Sequence, residues 1–535
     1  MSNSFRPVRS AAVLAILVVA FLVLGSDVEQ AQQSARPQTR QELIGARPRQ
    51  FDTTPGRLRF SSERFARMAQ AAADGLNYVP GEVLVRFRDG VGASAQLQTL
   101  ASVGSPSTRD GLRWIGDVAV VTSRETLDAR ALADSLEADP DVLWAEPNYL
   151  ARLWPSSTGY SAPLTGGART SAVPNDPEYA TRQWNFDVIG MPKAWDISPG
   201  GSDTIIVAIL DTGVTTEART MTFPVWTGSS FTNASVPFAV NTDMAASRFV
   251  KPMDFIFFDE GGPVLDLDGH GTHVASTVAQ DTNNAFGLAG MAYNVRIMPV
   301  KVCYGYWELM FTNGLDGIPG FEDSDAGGCP FDALAEGIRY AADNGAKVIN
   351  ISLGGTDPSN TIRAALDYAV DRGVFISMSM GNRFEKGNDI GYPAYYGQQF
   401  LGAMAVAAVG RSLKKAYYSS TGDYAEIAAP GGDARDGGSS GVIWQSTLRQ
   451  ADVSPFLLIP RFDRYESSGF QGTSMAAPHV AGLAALLMSQ GVTSPGSVES
   501  IIVQTAKDLG DPGKDDEFGN GLIQPRNALF GRGIR

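Results

Sequence analysis

Apolar positions change their spacing several times along the chain, and each change marks a boundary. After "MSNSFRPVRS", with Arg6 and Arg9, comes the unbroken apolar run "AAVLAILVVAFLVLG". A run of about fifteen residues is shorter than the about twenty that a spanning helix needs, and a basic head before it describes a secretory signal. Small residues near Ala31 offer a cleavage site, so residues 1–32 read as a signal and the destination as extracellular or periplasmic. An uncleaved anchor is the alternative. Residues 33–77 are rich in Gln, Arg and Ala with weak periodicity, which predicts a loose N-terminal prosegment.

At Tyr78 the pattern alternates. "YVPGEVLVRFRDG", "VAVVTS" and "VLWAEPNYLARL" read as strands, and "TLDARALADSLEADP" has helical spacing that stops before Pro140. Residues 78–152 therefore form a small α+β unit. The Pro-, Gly- and Ser-rich stretch 153–174 reads as a linker. From 175 to 535 the runs "TIIVAIL", "RIMPVKV", "AKVINISL", "GVFISMSM" and "AMAVAAV" are apolar at consecutive positions. Helical patterns start at His270, Phe331, Thr361 and Ser474. Strands that are apolar on both sides and alternate with helices predict an α/β domain, a mostly parallel sheet with helices on both faces.

Composition narrows the function. The 535 residues exceed one compact domain, and 44% hydrophobic content supports a sizeable core. A formal charge of −14 argues against a nucleic-acid partner. No later run is long and apolar enough to span a bilayer, so no membrane contact is expected after signal removal, and a monomer is expected. Cys303 and Cys329 are the only cysteines, and an oxidising compartment favours a disulfide between them.

Candidate chemistry is concentrated in a few stretches. The histidines are His270, His273 and His479 alone. "DLDGHGTHVAS" puts His270 at a helix start after a flexible turn, with His273 deeper on roughly the same face. A zinc site would need further ligands and a glutamate base, which "HGTH" lacks. "TIIVAILDTGV" places Asp211 just past a buried strand, at the functional edge of an open parallel sheet. "FQGTSMAAPHVAGLAALLM" opens an apolar helix with Ser474, which is either a cap or a nucleophile.

Taken together, "ILDTGV", "GHGTHVA" and "GTSMAAPHVAG" resemble the motifs of the subtilisin-like serine proteases, in that family's order. The resemblance extends from "PNDPEYATRQWN" to "FGNGLIQPRNAL". It implies a serine endopeptidase with Asp211, His270 and Ser474 as the triad, and Asn382 of "SMGNRF" as an oxyanion donor. It also implies Ser352, Leu353 and Gly354 of "ISLGG" as a substrate-pairing strand, and Gly391 of "IGYPAYYG" at the floor of the specificity pocket. A glycine floor predicts acceptance of large apolar residues before the scissile bond. No cofactor is implied for the chemistry. A structural calcium is implied, held by Asp176, Asp281, Asn284, Phe286 and Leu288, the last two and Asp281 through carbonyls. The family's aspartate ligand after the catalytic aspartate is missing, since the chain there reads "VTTEARTMTFPVW". Asp254, Asp259 and Glu260 form a second acidic set.

Residues 78–152 resemble the inhibitory propeptides of the same family. The implied partners are thus protein or peptide substrates and the chain's own propeptide, with self-cleavage expected in the linker after Leu153. The stretch between the cysteines, with Trp307, Phe311, Glu322, Asp323 and Asp325, is expected to touch substrate and tune specificity. Two rival functions remain: a catalytically inactive peptide-binding relative, and a metallohydrolase.

Overall fold

The computed structural model describes residues 62–103, 112–123, 125–153, 157–166, 174–226, 231–256, 263–313, 327–454, 457 and 459–530. The chain divides into two compact units, 1–49 and 50–535, and every described residue lies in the second. The signal assigned to 1–32 lies outside the described residues.

The prosegment read as loose is helical at its end. Helix α1 (Ser62–Asp74) sets Phe65, Met68 and Ala69 on one buried stripe. Their spacing of three and four residues is that of an amphipathic helix, obscured in the sequence by the Ala and Arg between them. Next come β1 (Tyr78–Phe87), α2 (Ala93–Ala101), β2 (Arg113–Ile115), β3 (Val118–Thr122), α3 (Ala129–Glu137) and β4 (Val142–Ala151). β1 pairs antiparallel with both β3 and β4. Helix α3 starts where it does because the Asp128 carboxylate accepts the Arg130 and Ala131 N–H groups, each at 3.1 Å. Its buried Leu132 and Leu136 pack on Val83, Val85 and Val121 of the sheet.

The expected linker contains a strand, β5 (Ser157–Ala162). The large domain continues with β6 (Ile206–Asp211), the hairpin β7 (Arg219–Trp226) and β8 (Phe231–Phe238), β9 (Met253–Asp254), α4 (His270–Ala279), β10 (Arg296–Lys301), α5 (Tyr306–Asn313) and β11 (Cys329–Pro330). It goes on through α6 (Phe331–Asp343), β12 (Val348–Ile351), α7 (Asn360–Asp371), β13 (Phe375–Ser379), β14 (Ala403–Val409), β15 (Ile427–Pro430), β16 (Ile443–Leu448), β17 (Tyr465–Phe470) and α8 (Thr473–Ser489).

Seven strands form one sheet in the order β15-β14-β13-β12-β6-β10-β9. Every pairing in it is parallel. Consecutive residues of β12, β13 and β14 are all buried, which requires helices on both faces. The five apolar runs singled out in the sequence are β6, β10, β12, β13 and β14. A parallel sheet gathers their C-terminal ends at one edge, where loops meet. β5 lies antiparallel to β17. The small domain's sheet, in order β11-β4-β1-β3-β2, takes its outermost strand from the large domain.

Candidate active site

Asp211 ends β6 at that edge, fully buried, with its carbonyl accepting the Val302 and Cys303 N–H groups at 2.9 and 3.2 Å. Its Oδ1 accepts the Thr212 N–H at 2.8 Å and lies 2.8 Å from His270 Nδ1. His270 is the first residue of α4, after Gly269 at φ 102°. A Cβ on Gly271 would stand 2.3 Å from the Gly213 carbonyl, so only glycine lets the helix start this close to the turn after Asp211. Asp266, which the sequence reading passed over, fixes this join. Its Oδ1 accepts the Thr212 hydroxyl at 2.9 Å and the Gly269 N–H at 2.9 Å, and its Oδ2 accepts the Thr272 N–H at 3.0 Å. Burial disfavours the His270 cation, but the charge and hydrogen bond of Asp211, then Asp268 and Asp266, outweigh it and raise the imidazole pKa. His270 Nε2 has no hydrogen-bond partner among the described residues.

Ser474 is the second residue of α8, buried. Pro478 has no N–H to give the Ser474 carbonyl four residues back, and the Ser352 hydroxyl donates to it instead at 2.8 Å. The Ser474 hydroxyl donates in turn to the Ser352 carbonyl at 3.0 Å. The Asn382 Oδ1 accepts the Thr473 N–H at 2.9 Å and its hydroxyl at 2.8 Å. Because a backbone N–H can only donate, that contact fixes the amide orientation and turns Asn382 Nδ2 the other way. Asn382 and Ser474 are therefore joined through Thr473.

Ser352, Leu353 and Gly354 follow β12, and Gly355 exchanges two 2.8 Å backbone hydrogen bonds with Tyr392, so this stretch and the Gly391 segment are adjacent. A Cβ on Gly391 would stand 2.4 Å from the Met380 carbonyl. Close backbone packing, and not an open floor, is what demands glycine there. The small domain's last strand runs into the same place. Ala151 pairs with Cys329, while Arg152 and Gly354 exchange N–H···O bonds of 2.9 and 3.1 Å. The bridge between Arg152 and Gly354 is antiparallel.

The family model described as the subtilase family matches residues 202–521. This chain is a subtilase. A second model, the fervidolysin N-terminal prodomain, matches residues 65–148, so the small domain is a prodomain. The subtilase is 31% identical to the thermophilic serine proteinase of Bacillus sp. (strain AK1) over 84% of its own length and 88% of that protein's. It is 32% identical to thermitase of Thermoactinomyces vulgaris over 64% of its length and 94% of that protein's. The crystal structure of fervidolysin from Fervidobacterium pennivorans shares its fold, with a TM-score of 0.60 at 24% identity over 85% of this chain and 61% of that one. The protein is a subtilisin-like serine protease with a fervidolysin-like prodomain, and its chemistry needs no cofactor.

Burial sorts the subtilase's other candidates. His273 shares Nε2 between the Ile443 and Ser468 carbonyls at 3.2 Å, stacks on Phe470 and is pushed down to about 3 by burial. His479 Nδ1 is 2.8 Å from the Met475 carbonyl and its Nε2 is 2.9 Å from Asn185 Nδ2, with the pKa pushed down to about 4, again by burial. Both are neutral packing residues. Trp307 and Phe311, expected at substrate, are core residues instead. The Trp307 indole donates to the Val453 carbonyl at 2.7 Å, and Phe311 stacks on Phe223 at 4.0 Å. Glu322, Asp323 and Asp325 lie outside the described residues, as do Asp259 and Glu260 of the second acidic set. Asp254 lies in β9 with Oδ1 accepting the Ile256 N–H at 2.8 Å.

Of the calcium candidates, Asp176 accepts the Asn283 N–H at 2.9 Å. Asn284 donates through Nδ2 to Oδ1 of Asp243 at 2.7 Å, and the Asp281 carboxylate is paired with Arg248 at 2.8 Å. Asp243 was missed in the sequence because it lies beyond the β7–β8 hairpin, far from where the family's aspartate stands. Its carboxylate is buried, receives only neutral donors (Gln280, Asn284 and the Leu288 N–H), and is pushed up to about 7 by burial. A buried carboxylate without a charged hydrogen-bond partner suits a hard cation, which would need the Gln280 and Asn284 amides turned to present their oxygens. Among the described residues no three His, Cys, Asp or Glu side chains converge on one point, so most of such a cage would be amide and carbonyl oxygens.

The prodomain is clamped to the enzyme by buried charge. Asp332, at the head of α6, accepts from Arg64 Nη2 at 2.5 Å, from Arg113, and from Asn148 Nδ2 at 2.9 Å. Burial alone would raise its pKa, yet Arg113 and Arg64 hold it well below the carboxylate range. Glu146 caps α7, accepting the Asn360 and Thr361 N–H groups at 2.9 and 3.1 Å.

Proposed function

We propose that the chain is made as a secreted zymogen that frees itself by cleaving the linker after its prodomain, and then hydrolyses peptide bonds in proteins. Asp211, His270 and Ser474 act as the triad. His270 Nε2 takes the Ser474 proton as the hydroxyl attacks the scissile carbonyl, and later delivers it to the leaving amine. Asp211 holds the tautomer with a proton on Nδ1 and stabilises the imidazolium. The tetrahedral oxyanion meets Asn382 Nδ2 and the Ser474 N–H at the positive end of α8. Collapse gives an acyl-enzyme, which water hydrolyses by the same route in reverse. The observation that carries this reading is the buried 2.8 Å contact between His270 Nδ1 and Asp211, which leaves Nε2 without a partner.

Residues 150–152 support the zymogen reading, since they pair with strands on both sides as an extended substrate would. Residues 154–156, next along the chain, lie outside the described residues. The primary pocket is bounded by Ser352–Leu353–Gly354 and the Gly391 segment, and a calcium ion sits among Asp176, Asp243, Asn284 and the 281–288 carbonyls. Secretion rests on the apolar run in 1–32, and no helix among the described residues is long and apolar enough to cross a membrane.

A fluorophosphonate probe tests the proposal. It should label Ser474 in processed protein, and Ser474→Ala should give an unlabelled, uncleaved chain. An S474A chain that still cleaves itself, in the absence of other protease, refutes it.

A further inference from the structure

The edge strand that receives the prodomain tail is too short to hold itself. β11 is only Cys329 and Pro330, and Pro330 has no N–H to donate. One end is fixed because α6 begins at Phe331. The other is held by the Cys303–Cys329 disulfide and by a two-way backbone contact of Tyr304 with Gly328, at 2.9 and 3.0 Å. Cys303 is no arbitrary anchor. It follows β10 by two residues, and its N–H donates to the Asp211 carbonyl at 3.2 Å. Both cysteines are fully buried. The cross-link therefore sets the position of the edge strand relative to the strand end that carries Asp211. While the prodomain is in place it adds its own grip, through Ala151 on Cys329 and Arg152 Nη1 on the Gly327 carbonyl at 2.8 Å. Those contacts leave with it.

We propose that the Cys303–Cys329 disulfide is a specificity element of the mature protease: it keeps the edge strand in place to pair with residues upstream of the scissile bond. Extended substrates then gain backbone hydrogen bonds that short ones never reach, as in recognition by strand addition. The inference rests on the cleft assignment above. Losing the bond leaves that end of β11 held by the Tyr304–Gly328 backbone contact alone, so each extended peptide must order it further on binding. The loss of one backbone hydrogen bond near the top of the usual net range corresponds to about tenfold in KM.

The test uses full-length wild type and Cys303→Ser/Cys329→Ser, each left to process itself, with active sites counted by fluorophosphonate labelling. KM and kcat are measured for peptides with one to four residues upstream of the cleaved bond. We expect KM for the longest peptides to rise about tenfold in the double variant, with kcat and the KM of the shortest nearly unchanged. Equal loss at every length, or no loss at any, overturns the proposal. If the double variant does not accumulate, processed wild type reduced with a phosphine and alkylated gives the same comparison. Absence of labelling in the wild type overturns the triad assignment, and this inference with it. Normal labelling with length-independent KM overturns this inference alone.

Discussion

Arg64 is the most informative single side chain in the prodomain clamp. Its Nε and Nη2 reach the two Glu82 oxygens at 3.2 and 3.3 Å, and Nη2 also reaches Asp332 Oδ2 across the domain boundary at 2.5 Å. Arg64→Met keeps the aliphatic stem and deletes the charge. Removing one partner of a buried pair costs about 3–5 kcal/mol when the other is stranded. Here neither is stranded: Asp332 keeps Arg113 and Asn148, and Glu82 keeps Asn148 Nδ2 at 2.8 Å. Part of the loss also falls within the prodomain, where it does not weaken the interface. The interfacial share is then about 2 kcal/mol, or about thirtyfold in affinity, expressed mainly in the off-rate. The assay follows the full chain after folding, with cleavage read on a gel and peptidase activity read in parallel. The lag between the two reports departure of the cut prodomain, and it should shorten about thirtyfold. A lag equal to that of wild type, with cleavage equally fast, would show that the clamp does not hold the prodomain.

Peptidase activity should rise with pH through a midpoint above the ordinary histidine value of about 6.5, because the upward shift of His270 must be overcome before the imidazole is neutral. A flat profile from pH 5 to 8 would rule out His270 as the base. Burial pushes Glu336 up to about 7, with Asp332 adding to it and Arg113 opposing, and burial also raises Glu146. Acids whose pKa is raised in the complex stabilise it fully below their free values, and that stabilisation fades as pH rises through the raised ones. Prodomain binding should therefore weaken from pH 5 to pH 8, by tenfold or more, and inhibition that strengthens over that window would contradict the assignment. Chelation should lower the melting temperature of the wild type and leave that of Asp243→Ala unchanged, since the variant has already lost the ion; equal shifts in both would remove calcium from that site.

The catalytic sheet was legible because a strand covered on both faces must be apolar at successive positions, as β12, β13 and β14 are. Asp211, His270 and Ser474 were singled out because each lies in a short, distinctive motif, and the structure pairs the first two. Side-chain burial was not legible, being settled by partners far along the chain. Trp307 and Phe311 read as exposed aromatics until Phe223 and Phe462, from the hairpin side and from the loop before β17, enclose them. Asp266 was visible as an acid four residues before His270, a place where helix-start acceptors occur, but its reach to Thr212 depends on how β6 and α4 meet. Gly391 was read as open space because the sequence gives no sign of the Met380 carbonyl against it.

Helix α1 carries a consequence for how a population of these molecules switches on. Its Phe65, Met68 and Ala71 are buried in the core cluster that belongs chiefly to the enzyme, with Phe65 edge-on to Tyr304 at 6.5 Å, whereas the prodomain's own cluster holds Val83, Leu100, Leu132 and their neighbours. If the chain is the zymogen proposed above, a prodomain that lets go exposes that stripe and keeps only the smaller core, so it should fray and be digested by the protease it had restrained. Release is then a ratchet with no return stroke. The first active molecules destroy the inhibitor of the rest, and activation of a sample should follow a sigmoid whose delay shortens as concentration rises.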